Sequence, residues 1–293
     1  MSSKDLSVKD WLAGSRPRTL PLALAPVVLG AASAQWAKSF DLILFLLCVV
    51  VALSLQIGVN FANDYSDGIR GTDDDRVGPA RLTGSGAVEP RQVRNAAFSF
   101  FGVAALAGIL TVVLSGLWWL VAVGACALVA AWFYTGGSRP YGYRGFGEVV
   151  VFVFFGLVAT TGTAAVMVGE IPGETWLTGS AAGFFAAGVL LVNNIRDRET
   201  DAQAQKRTLA VALGDRGSRW LLVAMLAMPY LILGVLSLVF VWAPLVFVTG
   251  IITVVVMVIV LTAKKPRELI TALGLMSLNA VVFALGLGLA IAF

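Results

Sequence analysis

Histidine is absent from the 293-residue chain, charged residues make up only 13% of it, and there are only two cysteines. Without histidine the chain lacks the side chain most often used as a general base near neutral pH, and the commonest zinc ligand. Acid-base or metal chemistry must therefore use other groups. Cys48 and Cys126 lie in different apolar stretches, which excludes a disulfide framework and a spaced zinc site. Both read as small core hydrophobes. Soluble domains carry about 25% charged residues. Scarce charge, together with 58% hydrophobic residues and a mean hydropathy of +0.88, excludes a soluble, disordered or coiled-coil chain. No signal peptide is expected, because Asp5 and Asp10 precede an apolar span too long for a cleavable segment.

Long apolar runs are abundant instead. A hydrocarbon core about 30 Å thick needs about 20 helical residues, and runs near that length fall at 20–37, 42–62, 96–114, 117–134, 147–168, 176–193, 220–240, 244–263 and 269–293. They predict an all-α membrane protein with nine transmembrane helices, forming one integral-membrane domain over residues 1–293. Cytoplasmic connections collect Lys and Arg, which puts residues 1–19 and the long loops 63–95 and 194–219 on the cytoplasmic side. Of the 21 basic residues only Lys38 then faces the other way, an alternation that a wrong span count would scramble. The expected topology is multi-pass in the cell membrane, with a cytoplasmic N-terminus and an external C-terminus. Trp36, Trp176 and Trp242 fall near predicted interfaces, as an aromatic belt would place them. This topology accounts for the pI of 9.3, so no nucleic-acid role is needed. The lipid bilayer is the expected surrounding, and no obligatory protein partner is evident.

The two long loops hold most of the polar residues. The second span runs out into Asn60, Asn63, Asp64, Asp67 and Asp73, and the sixth into Asn194, Asp197 and Asp201, followed by Lys206 and Arg207. Asp64 and Asp67 are i,i+3 and Asp197 and Asp201 are i,i+4, so each pair shares a face if helical pitch continues. Like charges at that spacing repel, and a site that keeps them together supplies cations. Asparagine and aspartate offer hard oxygen ligands suited to Mg²⁺ or Ca²⁺, and Mg²⁺ typically bridges carboxylates to substrate phosphates. Adjacent Arg and Lys side chains suit phosphate oxygens. Asp74 and Asp75 read as a solvated loop. The other acids sit at or near the membrane end of a helix, where ionisable groups are costly and usually functional. Asn63-x-x-x-Asp67 is echoed by Asn194-x-x-Asp197 four spans later, a spacing that suits two four-helix repeats, plus a ninth helix, facing each other across one cavity.

At these residues the chain resembles the UbiA-type intramembrane prenyltransferases, whose signature is two aspartate-rich motifs after the second and sixth of about nine helices. Asn63-Asp64-Tyr65-Ser66-Asp67-Gly68-Ile69-Arg70-Gly71-Thr72-Asp73 is similar to the form found in the branch that acts on 1,4-dihydroxy-2-naphthoate. So are Ser15-Arg16-Pro17-Arg18-Thr19-Leu20-Pro21, the segment from Tyr134 to Glu148, and Thr208 to Gly214. The chain departs from the pattern at Gln205, where the family commonly has the glycine that supplies a turn conformation costly for other residues.

The resemblance implies transfer of a polyprenyl group from polyprenyl diphosphate to 1,4-dihydroxy-2-naphthoate, with decarboxylation, giving a demethylmenaquinone. It implies Mg²⁺ held by Asn63, Asp64, Asp67, Asp73, Asn194, Asp197 and Asp201, with Asp64, Asp67, Asp197 and Asp201 the catalytic acids. Arg76, Arg81, Lys206 and Arg207 are the expected diphosphate contacts. Asn60, Tyr134, Arg139, Tyr141 and Tyr143 are the expected aromatic-acceptor residues, with Arg139 pairing the carboxylate. Interfacial anchoring is the alternative for the tyrosines, and helix-to-helix hydrogen bonding for Asn60. Glu148 is either a site residue or an inward-facing partner for a nearby arginine. Three rivals stand beside this reading: another aromatic acceptor such as 4-hydroxybenzoate or homogentisate, a CDP-alcohol phosphotransferase, and a cation-coupled transporter.

Overall fold

Asp41 caps the start of a 27-residue helix, its carboxylate accepting the backbone N–H of Leu44 at 2.9 Å. Gly116 and Gly169 end two later helices in the left-handed conformation. Between such signals the computed structural model, which describes residues 8–71 and 81–293, is helical, with no strand among the described residues. In chain order the elements are α1 (Val8–Gly14), α2 (Leu20–Trp36), α3 (Leu42–Gly68), α4 (Pro90–Ser115), α5 (Leu120–Phe133), α6 (Gly147–Val168), α7 (Glu174–Arg196), α8 (Arg198–Gln203), α9 (Leu209–Leu236), α10 (Ala243–Thr262) and α11 (Glu268–Ala292). Seven of them are long and apolar enough to cross a membrane, and α2 and α5 are shorter apolar helices. The apolar runs read from the sequence recur as these nine elements.

Among the boundaries that differ from expectation, two place the site. α3 continues past residue 62 to Gly68, so the first acidic motif is helical up to Asp67. α9 begins at Leu209 rather than 220, because Thr208 caps it and Gly214 (φ 70, ψ 177) breaks it, turning an interfacial first turn into the span. The Ser218 hydroxyl donates to the carbonyls of Ala210 and Gly214 across the break.

α7 is the most enclosed span, with 72% of its apolar window buried against 22% for α3. Phe185, Leu191, Leu222, Leu226, Met276, Phe283 and Leu287 form the main core where α7, α9 and α11 meet α2. A smaller core, with Phe61, Leu82, Val93, Ala97 and Phe101, joins α3 to α4 and to the loop before it. Trp11 of α1 packs edge-on against Phe61, which docks the N-terminal segment on α3. Since lipid is as apolar as these side chains, close backbone packing and polar contacts must bind the helices together. Asn279 donates to Thr253 (2.7 Å) and Tyr230 (3.2 Å), linking α9, α10 and α11. Gly179 and Gly183 of α7 receive the π-helical turn Val153–Val158 of α6, where a Cβ added to Gly156 would lie 2.4 Å from the Gly183 Cα.

The link between α8 and α9 explains Gln205. The N–H of Lys206 donates to Asp201 (2.8 Å) and that of Gln205 to Ala202 (3.2 Å), the paired bonds of a Schellman motif, with Gln205 at φ 56 in the place glycine usually takes. The turn keeps its shape despite the side chain, and it aims Lys206 back at Asp201.

Two predictions concern these backbone contacts. Gly156→Ala should destabilise the protein by about 1–3 kcal/mol, read as a lower thermal midpoint in detergent. Gly234→Ala, with open space around it, should leave the midpoint nearly unchanged, and equal midpoints for both would refute the close-contact account. Gln205→Gly should relieve a left-handed conformation that costs about 1–2 kcal/mol and raise the midpoint, while Gln205→Val should lower it; the reverse order would refute the strain.

Candidate active site

Gln56, Asn60, Asn63 and Asp67 recur three or four residues apart on α3 and so share one face. The last three are buried, and each has a distinct partner. Asn60 donates to the Ser15 carbonyl at 2.8 Å and to Thr19 Oγ1 at 3.3 Å, so it holds the segment leading into α2. Asn63 accepts from Thr135 Oγ1 at 2.8 Å. Asp67 accepts from Tyr143 Oη at 2.6 Å and lies 3.7 Å from Arg81 Nη2. Asp64, one residue on from Asn63, points elsewhere. Its two oxygens accept the N–H groups of Leu82 and Thr83, both at 2.8 Å, clasping the loop before α4 and presenting Arg81 to Asp67.

The second motif is built where α7 ends. Asp197 closes the helix, and its carboxylate takes a two-pronged contact from Arg196, at 2.7 Å from Nε and 2.6 Å from Nη2. Asp201 keeps the helical relation to it, its N–H donating to the Asp197 carbonyl at 2.8 Å. Lys206 Nζ lies 3.4 Å from Asp201 Oδ1. Burial pushes the Asp201 carboxyl up to about 6; Lys206 pulls it back, and the negative charges of Asp197 and Asp67 push it further up. The two motifs face each other: Tyr143, which bonds Asp67, has over its ring the same Lys206 that pairs with Asp201. Asn194 donates to Glu148 Oε1 at 2.8 Å, and the Lys206 charge also bears on Glu148, so this buried carboxylate faces the second motif.

Tyr143 joins the motifs. Its hydroxyl reaches Asp67, its carbonyl accepts the Arg207 N–H at 3.0 Å, and its ring has Lys206 Nζ at 5.2 Å and the Arg70 guanidinium at 5.4 Å. Arg70 in turn donates to the carbonyls of Thr135 and Gly137. Arg207 is exposed and lines, with Lys206, a pocket of about 340 Å³.

Beside the acids, α2 to α7 wall a cavity of about 510 Å³. Arg16, Thr19, Gln56, Asn60, Asn63, Tyr134, Tyr141 and Asn193 contribute polar groups to it, and the rest of its wall is largely apolar, including Pro26, Val51, Gly108, Phe154 and Val166. Tyr134 touches Tyr141 edge to face at 5.6 Å, and Asn63, which lines the wall, stands one helical turn before Asp67 on α3, so the first acidic motif adjoins the cavity. Tyr141 donates to the Ala130 carbonyl at 2.8 Å, and burial raises its phenol above the usual tyrosine range.

Of the residues expected at the acceptor, Asn60, Tyr134 and Tyr141 line this cavity and Tyr143 faces the acids. Arg139 is exposed and is not part of the wall, because the turn around Gly137 (φ 76) leaves it outside. Asp73 and Arg76 lie outside the described residues. Arg16, Gln56, Thr135, Arg70 and Arg196 were not singled out from the sequence. Arg196 had a signal, adjacency to Asp197; Thr135 had none.

Asn63, Asp67, Asn194, Asp197 and Asp201 are hard oxygen donors, and Asp201 Oδ2 is buried with no hydrogen-bond partner. Such an orphaned carboxylate oxygen suits a hard divalent cation. Among the described residues no three acidic side chains converge as a ready cation site, and Asp67, Asp197 and Asp201 each have a basic partner of their own in Arg81, Arg196 and Lys206.

Residues 23–281 match the UbiA prenyltransferase family. A Mycobacterium tuberculosis protein named 1,4-dihydroxy-2-naphthoate octaprenyltransferase is 46% identical over 98% of both chains, and one of the same name from Haemophilus influenzae is 36% identical over 96% of both. Among solved structures, an apo UbiA homolog from Aeropyrum pernix K1 superposes with a TM-score of 0.72 at 16% identity, covering 90% of this chain and 96% of that one. A UbiA homolog from Archaeoglobus fulgidus, bound to DMAPP and Mg²⁺, gives 0.66 at 16% identity over 97% and 99%. The helical bundle, the paired acidic motifs and these similarities agree: the chain is a multi-pass membrane protein that belongs to the UbiA prenyltransferase family.

Proposed function

We propose that this protein transfers a polyprenyl group from polyprenyl diphosphate to 1,4-dihydroxy-2-naphthoate with loss of the ring carboxylate, a step of menaquinone biosynthesis. The observation that carries the reading is that Tyr143 joins two motifs far apart in sequence, its hydroxyl on Asp67 and its ring beside the Lys206 that pairs with Asp201, next to a cavity that is polar near the acids and otherwise largely apolar. The relatives named for this reaction supply the acceptor. Family membership sets aside the CDP-alcohol phosphotransferase and the transporter. The topology we propose with it is nine spans, two four-helix repeats and a ninth helix, in one domain over residues 1–293, with the N-terminus and the acids cytoplasmic and the C-terminus outside.

Asn63, Asp64, Asp67, Asp73, Asn194, Asp197 and Asp201 are the residues that would hold Mg²⁺, which when bound supplies Lewis-acid stabilisation of the diphosphate leaving group. Arg81, Lys206 and Arg207, with Arg76, add positive charge at the same place. Charge developing on the departing diphosphate meets N–H donors already oriented by Asp67, Asp201 and the Lys206 turn, so little reorganisation is needed during reaction. The apolar wall keeps water from the allylic cation, and Tyr134 and Tyr141 offer ring faces that orient the acceptor against it. A new ring carbon–carbon bond replaces the ring–carboxylate bond, and CO₂ leaves.

Purified protein incubated with Mg²⁺, a polyprenyl diphosphate and either dihydroxynaphthoate or 4-hydroxybenzoate should give a prenylated, decarboxylated naphthalenediol by mass. A hydroxybenzoate-only product would sink the acceptor assignment, and no prenylated aromatic at all would sink the reaction. Asp67→Asn and Asp197→Asn should each lower turnover by about 100-fold or more while the protein still reaches the membrane. Because a proton and a cation compete for Asp201, whose carboxyl titrates at about 6, the Mg²⁺ concentration for half-maximal rate should rise as pH falls through 6. A Mg²⁺ requirement flat from pH 7.5 to 5.5 would contradict that competition.

A further inference from the structure

We infer that Arg16 determines acceptor specificity by receiving the carboxylate of the aromatic ring within the cavity. This deepens the acceptor reading above and rests on it. Among the described residues that line the cavity, Arg16 is the one that carries a charge. A carboxylate that leaves water for a largely apolar cavity needs a cation with N–H donors in place, since burying it alone is prohibitive. The planar fork of arginine matches it in two contacts.

The backbone supports the assignment independently. Arg16 is left-handed, φ 53 and ψ 67, an unfavourable conformation for a residue with a Cβ and one that persists only where the surroundings enforce it. They do so here through several bonds. Its N–H donates to the Ala13 carbonyl at 3.1 Å, and its own carbonyl accepts the Thr19 N–H and Oγ1, both at 2.9 Å. Gln56 and Asn60 donate to that same Thr19 oxygen at 3.2 and 3.3 Å, and Asn60 also holds the Ser15 carbonyl. The two amides of α3 thus act as positioning residues for Arg16.

The placement separates two anions. The diphosphate belongs to Lys206, Arg81 and the acids, and the ring carboxylate to Arg16, one helical turn and more along α3 from Asp67, so neither anion takes the other's cation. Once CO₂ has left, the neutral product no longer has a charge for Arg16 to hold, which favours its release to the bilayer.

The test compares wild-type protein with Arg16→Gln and Arg16→Lys, using Mg²⁺, farnesyl diphosphate and dihydroxynaphthoate. Arg16→Gln should raise the KM for naphthoate about 10- to 100-fold with the KM for farnesyl diphosphate within about twofold, and Arg16→Lys should recover part of the loss. In wild-type protein 1-hydroxy-2-naphthoate should compete with the acceptor at least about tenfold better than 1-naphthol, a measurement that needs no variant. Unchanged naphthoate KM in both variants, a parallel rise in both KM values, or equal competition by the two naphthalenes would overturn the inference with the reaction intact. A wild-type protein that does not prenylate naphthoate at all would instead overturn the acceptor reading beneath it.

Discussion

Four carboxylates stand at one end of an apolar bundle, and any two brought to 4 Å in partly buried surroundings would repel each other by about 4 kcal/mol. The loops of this protein are arranged around that repulsion, with a different solution for each acid. Asp64 is satisfied by two backbone N–H groups, Asp67 by a phenol and Arg81, Asp197 by its neighbour Arg196, and one oxygen of Asp201 by Lys206. Each solution also places a loop. The Asp64 contacts fold the chain at 82–83, the Tyr143 hydroxyl brings the α5–α6 connection over α3, and the Schellman turn carries Lys206 back over α8. A loop rearrangement that removed one partner would leave a buried charge uncompensated, which is more damaging than losing the contact itself.

Helix lengths set where this cluster stands. α3, at 27 residues, is about 40 Å long, while α5, at 14, is about 21 Å. The first overshoots a hydrocarbon core of about 30 Å and carries its last two turns, with Asn63, Asp64 and Asp67, to the edge of the apolar layer. The second falls short and has no buried residue, although Leu120 and Leu128 line the cavity. The cavity therefore has a thin wall on that side, next to lipid. A polar headgroup at the end of α3 and an isoprenoid tail along α5 are compatible with one occupied site, because the wall changes from amide and hydroxyl to aliphatic over the length of the same helices.

What was legible in the sequence follows from what kind of signal carried it. Apolar runs and basic loops report on solvent, a one-dimensional property, and the apolar runs recur as apolar helices, most with ends within a few residues of those expected, although α9 starts well before its run. The convergence of Asp67 with Asp201 was legible because two motifs repeated at equivalent spans. Asp64 shows the limit. Its spacing to Asp67 is that of neighbours on one face, yet its side chain is turned to Leu82 and Thr83, a contact that depends on where a loop returns. Arg139 and Arg16 show the same limit from the other side. Both stand in segments resembling the family, and of the two only Arg139 was expected at the acceptor. The deciding fact is three-dimensional: the turn at Gly137 leaves Arg139 outside, whereas Gln56, Asn60 and Thr19 hold Arg16 against the cavity.

Gln205 carries this one step further. The expectation of glycine there came from a family pattern, and the physical content of that pattern is now visible as a left-handed residue closing α8. The paired bonds to Asp201 and Ala202 persist although the side chain disfavours them, so the turn is imposed by what surrounds it. Lys206 follows directly, held between Asp201 and the ring of Tyr143, and Arg207 is tied to Tyr143 through its own backbone. The strain at one exposed position is thus maintained by the ion pair and the ring contact on its far side. The same acids that need cations nearby stabilise the turn that delivers one, so the shape of this loop depends on the charge of the site, and a substitution that neutralised Asp201 would release Gln205 as well as Lys206.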